Sequence, residues 1–262
     1  MSDATAAAPR LAIALGEYDT GWHDPAASLR GAESVVARAA AGGARLVVLP
    51  EMTTTGFTME TDRAVPLDSP DVGRLRELAR RHGVWIAAGV ALRDASDDRA
   101  TNGLVVVDAA GEIAAVHRKR RLFAYGDEDR FYAPGERATV VGIEGVRAGL
   151  FICYELRFPE LFAAVADEVD VMIVVANWPA SRRAHWDTLL RARAIECQCA
   201  VVGVNRTGEG GGLSYDGGSA AFGPWGDALP SNDAAVVTVD VAEVRRVRER
   251  YPFLKDRVRG NG

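Results

Sequence analysis

Apolar residues fall in short continuous runs along this chain, and segments of helical spacing separate them. Leu11 to Leu15 is the first run and a strand candidate. Asp24 followed by Pro25 has the form of an N-cap and first helical residue, predicting a helix through Ala41 that Gly42-Gly43 stop. Leu46 to Leu49 then reads as a strand covered on both faces and ends at Pro50-Glu51. Ser69-Pro70 opens a second helix through Arg81, and strands follow at Val84 to Leu92, Leu104 to Val107 and Ile113 to Val116, with Ala109 to Glu112 as a hairpin turn. The polar stretch from Lys119 to Ala138 is too long for a plain connection, and loops of that kind carry function. Val146 to Ile152 is a strand that stops at Cys153. A helix from Pro159 to Asp167, a strand from Val169 to Val175, a helix from His185 to Gln198 and a strand from Ala200 to Asn205 come next. A glycine-rich loop from Gly208 to Gly218, read as flexible, and further short strands complete the order.

This β-α-β order with hairpins predicts a layered α/β protein. Residues 1–10 are expected to be a flexible tail and 11–262 a single domain. In open α/β sheets ligands gather at the carboxyl ends of strands, where Glu51, Cys153 and Asn177 all fall.

Composition narrows the function. Thirty-six acidic against 31 basic residues leave a net charge of -5, which opposes attraction to nucleic acid or an anionic membrane and favours a small-molecule partner. Met1 to Arg10 lacks the pattern of a signal peptide, and the most apolar run, Val169 to Ala176, is too short to span a bilayer. A cytoplasmic location is the expectation. Three cysteines form no disulfide framework, so any important one should act as a thiol. The four histidines, His23, His82, His117 and His185, show no ligand spacing, and neither a metal nor an organic cofactor is called for. Cys197 and Cys199 lie two apart on a helix and do not share a face; packing explains them.

Three segments carry candidate chemistry. Cys153, at a strand-to-helix junction in Phe151-Ile152-Cys153-Tyr154-Glu155, can meet backbone N–H groups that lower its pKa and later hold an oxyanion; the plain alternative is a small buried hydrophobe. Glu51 directly follows an apolar strand, where desolvation would raise its pKa toward the range of a proton shuttle, unless it is a surface cap. His117-Arg118-Lys119-Arg120-Arg121 taken alone is a solvated basic run.

Together these segments resemble the nitrilase superfamily of carbon–nitrogen hydrolases, whose Glu-Lys-Cys triad occurs in this chain order. The similarity runs from Leu11 to Tyr251-Pro252-Phe253-Leu254 and includes Asn177-Trp178-Pro179. The resemblance implies Glu51 as general base, Lys119 as fixed cation, Cys153 as nucleophile and Glu128 as a second glutamate orienting the lysine. Arg121 departs from the small or histidine residue usual there. An amide is a poor electrophile, and a thioester route replaces one hard step by two easier ones. The resemblance also implies a four-layer α-β-β-α sandwich that commonly dimerises, with the aromatic tail packing across a homodimer.

Cys153-Tyr154-Glu155-Leu156-Arg157-Phe158-Pro159, Asn177-Trp178-Pro179-Ala180 and Arg191-Ala192-Arg193-Ala194-Ile195-Glu196 look most like the omega-amidase branch, which hydrolyses the terminal amides of 2-oxoglutaramate and 2-oxosuccinamate. Arg157 is then a candidate clamp for the far carboxylate, against an ordinary ion pair. The Tyr154 N–H would join the oxyanion site. Asn177 and Trp178 would wall the pocket, and Phe131 with Tyr132 would form its apolar rim. Other readings are N-carbamoyl amide hydrolysis, deaminated-glutathione amidase action, a cysteine–histidine enzyme using His185, and a non-catalytic interaction module.

Overall fold

Alternate residues of the central strands go to different apolar clusters, and that alternation sets the layering. In a computed structural model, which describes residues 8–93 and 99–257, Leu46 and Val48 join one cluster and Val47 another; Leu150 and Ile152 join the first, while Phe151 joins a third. Period two in a strand places successive side chains on opposite faces, so each sheet serves two interfaces at once.

The elements are β1 (Arg10–Leu15), α1 (Pro25–Ala41), β2 (Leu46–Val48), α2 (Pro70–His82), β3 (Trp85–Leu92), β4 (Ala100–Val107), β5 (Ile113–Arg118), α3 (Glu128–Phe131), β6 (Tyr132–Ala133) and β7 (Val140–Ile143). They continue with β8 (Val146–Ile152), α4 (Pro159–Ala163), β9 (Val171–Ala176), α5 (Arg183–Cys197), β10 (Ala200–Asn205), β11 (Thr207–Gly210), β12 (Leu213–Asp216), β13 (Ala220–Phe222), β14 (Val236–Asp240) and α6 (Val241–Arg250). One mixed sheet runs β14-β1-β2-β3-β4-β5, with β6 beside β4; the other runs β13-β10-β9-β8-β7. Leu11, Ile13, Leu104 and Val106 of the first sheet meet Ile143, Leu150, Ile173 and Val202 of the second. Helices α1 and α2 cover the outer face of the first sheet, and residues of α4, α5 and α6 cover that of the second. The result is the expected α-β-β-α layering.

Helix starts follow the sequence signals. Asp24 accepts the Ala27 N–H at 2.9 Å, and Ser69 accepts that of Val72 at 3.3 Å. Other expectations need correction. Strand β4 begins at Ala100 rather than Leu104, which brings Asn102 into the sheet. The helix expected from Pro159 to Asp167 breaks after Ala163, and a separate 3-10 turn covers Ala166–Glu168 because Val165 leaves helical geometry at φ -114°, ψ 1°. The glycine-rich segment is a hairpin, β11 paired antiparallel with β12. A closing helix, α6, stands where short strands were expected; Val241, Val244 and Val247 form its buried stripe. Arg10 is strand, not tail, and residues 1–7 of the expected tail lie outside the described residues. Among the described residues no helix is long and apolar enough to cross a membrane.

Candidate active site

Four strand ends converge at the margin between the sheets. Glu51 follows β2, Lys119 follows β5, Cys153 follows β8 and Asn177 follows β9. Local backbone makes the convergence possible. Met52 and Cys153 take left-handed conformations, φ 45° and 46°, turning each chain sharply just past its strand; for residues with a side chain such geometry is costly and persists only where the surroundings enforce it. Gly89 of β3 passes so near the Glu51 turn that a Cβ there would lie against Glu51 Cα, 2.6 Å from Met52 N and 2.7 Å from Pro50 O. Its own N–H donates to Pro50 O and its carbonyl accepts from Thr53, pinning the glutamate turn to the sheet.

Lys119 is fully buried, and its Nζ donates to Glu51 Oε1 at 2.8 Å and to Glu128 Oε2 and Oε1 at 2.9 and 3.1 Å. Asn102 donates through Nδ2 to both glutamates, at 2.8 Å to Glu51 and 2.7 Å to Glu128. Asn177 closes the arrangement from the other sheet, its backbone N–H 2.9 Å from Glu51 Oε2 and its Nδ2 2.6 Å from the Glu51 carbonyl. Cys153 is half-buried, its thiol lies 4.0 Å from the Asn177 carbonyl, and Glu51 and Lys119 are the charges that act on it most strongly. Asn205, at the end of β10, holds the Trp178 backbone on both sides, accepting its N–H at 2.7 Å and donating to its carbonyl at 2.9 Å.

The charges do not settle as expected from burial alone. Burial pushes the Glu51 carboxyl up, but the adjacent Lys119 charge and hydrogen bond, with those from Asn102 and Asn177, outweigh it and hold the group below its ordinary range. Burial likewise drives the Cys153 thiol well above its ordinary value, reinforced by Glu51 and only partly offset by Lys119, so the expected lowering by turn N–H groups does not prevail. Glu128 is raised, by burial and by repulsion from Glu51 against the pull of Lys119. For Lys119 the burial penalty is overcome by Glu128, Glu51 and Cys153, and its pKa lies above the ordinary lysine range. The resting site therefore holds an ammonium, a carboxylate at Glu51 and a neutral thiol.

A third buried carboxylate, after Glu51 and Glu128, braces this floor. Glu155 accepts the Ile152 N–H at 2.7 Å, the Arg120 N–H at 3.1 Å and the His117 ring at 3.0 Å, tying the segment that carries Lys119 to the one that carries Cys153.

The thiol opens into a narrow cavity of about 40 Å³, walled by Phe57, Phe123, Tyr154, Arg157, Trp178 and Arg182 among others. Outside it lies a vestibule of about 620 Å³, with Trp22, Tyr125 and Phe131 on its walls. Sequence reasoning placed Tyr154, Arg157, Asn177 and Trp178 at the pocket, and all four line the inner cavity. Phe131 is 44% exposed and belongs to the vestibule. Tyr132 is no rim residue: it is fully buried and its hydroxyl donates to Thr58 O at 2.8 Å. His185 faces Arg157 at 3.1 Å rather than the thiol, so it does not stand where a base for Cys153 must. Asn102, Asn205, Arg182 and the hairpin residues Leu213 and Tyr215 were not anticipated; Asn102 lay outside the strand expected from Leu104. A larger cavity of about 730 Å³, bordered by Arg99, Arg118 and Arg137, contains none of the four strand-end residues. Among the described residues no cluster of His, Cys, Asp and Glu could hold a metal ion.

Residues 8–250 match the family model described as Carbon-nitrogen hydrolase. The chain is 34% identical over 254 residues to Omega-amidase YafV of Escherichia coli strain K12, covering 95% of this chain and 97% of that one. It is 33% identical over 252 residues to a 2-oxoglutaramate amidase of Bacillus subtilis, covering 93% and 96%. Among solved structures, XC1258 of Xanthomonas campestris, a CN-hydrolase superfamily protein with an arsenic adduct in its active site, is similar with a TM-score of 0.88 and 35% identity over 96% of this chain and 98% of that one.

Proposed function

The chain belongs to the carbon-nitrogen hydrolase family and is a C–N hydrolase acting on amides, and on that premise we propose that it is a cysteine-dependent omega-amidase. Its substrates in this reading are the terminal amides of small 2-oxo dicarboxylic acids, 2-oxoglutaramate and 2-oxosuccinamate. The observation that carries the proposal is one arrangement: Lys119 Nζ held 2.8 Å from Glu51 Oε1, Asn177 bonded to that glutamate and 4.0 Å from the Cys153 thiol, and Lys119 and Cys153 both lining the inner cavity.

A low carboxyl beside a high thiol disfavours a standing thiolate. Proton transfer from Sγ to Glu51 accordingly accompanies formation of the C–S bond rather than preceding it. The carbonyl oxygen becomes an oxyanion beside the Lys119 ammonium, joined by the Tyr154 N–H. Removing one preorganised donor of this kind typically costs about 3 to 4 kcal/mol of transition-state stabilisation. Glu51 then returns its proton to the departing nitrogen, ammonia leaves, and the acyl group remains on sulfur as a thioester. Water enters, Glu51 takes its proton, a second tetrahedral intermediate forms at the same oxyanion site, and collapse releases the acid and restores the thiol. Glu128 and Asn102 keep the ammonium and Glu51 in place throughout. The small inner cavity and the positive charge of its walls suit a short amide with an acidic far end.

A second reading, an amide with a longer peptide-like tail such as deaminated glutathione, draws its support from the aromatic vestibule outside the cavity. Ammonia release from 2-oxoglutaramate, 2-oxosuccinamate, deaminated glutathione, glutamine and an N-carbamoyl amine, compared between the native chain and Cys153→Ala, tests both. The proposal expects turnover concentrated on the two oxo-acid amides, abolished in the variant, and a thioester adduct of Cys153 trapped by acid quench and mass spectrometry. Full turnover by Cys153→Ala would discard the mechanism, and preference for another amide would discard the substrate.

A further inference from the structure

Among the described residues three cations line the inner cavity, and of these Arg182 alone has no side-chain hydrogen bond or ion pair. Lys119 is held between Glu51 and Glu128. Arg157 stacks on Trp178, 4.8 Å from the ring centroid, and donates from its Nη2 to His185 Nδ1 at 3.1 Å. Arg182 has its guanidinium over the Phe123 ring at 5.6 Å and shares the cavity wall with Tyr215, and among the described residues it makes no ion pair or side-chain hydrogen bond. Its sequence neighbour shows the contrast: Arg183 pairs with Asp187 at 2.8 Å and with Asp216 at 3.5 Å.

The backbone of Arg182 is nevertheless fixed. Its N–H donates to Pro179 O at 3.0 Å, and its carbonyl accepts the Trp178 indole N–H at 2.9 Å, in a 3-10 turn (Ala180–Arg182) that leads directly into α5. Its position is also distinctive. Phe57, Phe123, Arg182, Leu213 and Tyr215 border both the inner cavity and the vestibule, so Arg182 stands at the threshold between them. A half-buried guanidinium on an aromatic wall, with no anion supplied by the protein, has a planar fork of donors open to a carboxylate.

We infer that Arg182 is the principal receptor for the substrate's distal carboxylate, and that Arg157, tethered to His185, shapes the Trp178 wall. This rests on the omega-amidase reading and deepens it: the amide carbon is at Cys153 and the acid end at the threshold, so selection for acid-ended amides resides in Arg182.

The test pairs glutaramate, an acid-ended monoamide, with pentanamide, its neutral counterpart of equal length, on the native enzyme, Arg182→Gln, Arg182→Lys and Arg157→Gln. For Arg182→Gln the inference expects KM for the acid-ended amide to rise about 10- to 100-fold, the usual scale for a lost charged hydrogen bond, with kcat nearly kept and pentanamide unaffected. Arg182→Lys should restore part of the loss, and Arg157→Gln should change the preference less than Arg182→Gln. Unchanged preference in Arg182→Gln, an equal loss on both amides, or a larger shift in preference from Arg157→Gln would overturn the assignment while leaving the omega-amidase reading intact. A native enzyme that does not favour the acid-ended amide would overturn both.

Discussion

The floor of the site and its rim are built on different physical plans. On the floor, Glu51, Lys119, Glu128 and Asn102 are fully buried and joined into one network that spans three strands and is clamped by Asn177 from the second sheet. At the rim, Arg182 is half-buried and makes no ion pair among the described residues, Leu213 and Phe131 are each 44% exposed, and β11 and β12 form a separate two-stranded sheet. Buried networks of this kind allow little adjustment, because a single missing partner leaves a charge uncompensated. Rim contacts can change one at a time. The contrast assigns the reaction to the floor and the choice of substrate to the rim.

Substitutions ranked by effect can break that division. In the proposed mechanism Glu51→Gln removes the base that serves the thiol and should lower kcat by about 10² to 10⁴-fold with little change in KM, measured by ammonia release. Asn102→Ala, which deletes a donor to both glutamates, should lower kcat about 10-fold or more. Because the Asn102 hydrogen bond helps hold the Glu51 carboxyl low, its loss lets that pKa rise; the acid limb of kcat/KM must then move to higher pH, and a shift to lower pH would contradict the network. Gly89→Ala forces a Cβ onto the Glu51 turn and should destabilise the fold by about 1 to 3 kcal/mol in denaturant titration, with activity falling as the glutamate is displaced. Leu213→Ala, at the rim, should alter kcat/KM only a few-fold and leave kcat on the smallest amide unchanged, since its side chain forms the wall that the inner cavity shares with the vestibule. A loss there as large as that from Glu51→Gln would erase the distinction between floor and rim.

Legibility in the sequence follows the same division. Glu51, Lys119 and Cys153 were readable because their family motifs directly follow strand-forming runs, whereas Glu128, inside the polar stretch from Lys119 to Ala138, was readable only through the family resemblance. Asn102 was not, since Thr101-Asn102-Gly103 has the composition of a turn and only pairing with β3 and β5 makes it strand. The hairpin was hidden for a related reason: Gly208, Gly210, Gly211 and Gly212 read as loop, but φ of 84°, 58° and 76° at Gly208, Gly211 and Gly212 allows the strands to twist and the tip to turn. Arg182 lay in a run of polar residues with no periodic signal, and its importance depends on Phe123 and Tyr215, which are distant in the chain. The directions of charge were misjudged for opposite reasons: at Glu51 burial was foreseen but not the tertiary donors and the Lys119 charge that outweigh it, and at Cys153 the turn N–H groups were foreseen but not the burial that outweighs them.

The elevated thiol of Cys153 bears on durability. Peroxide and generic alkylating reagents attack the thiolate, and at neutral pH this site keeps its sulfur almost wholly protonated. Such reagents meet an inert group, while a molecule that docks as an amide does not. Inactivators shaped as short acid-tailed acyl donors should therefore modify Cys153 faster than methyl methanethiosulfonate, a thiolate reagent with no amide, at equal concentration, and the enzyme should tolerate oxidative conditions that silence cysteine hydrolases with a standing thiolate.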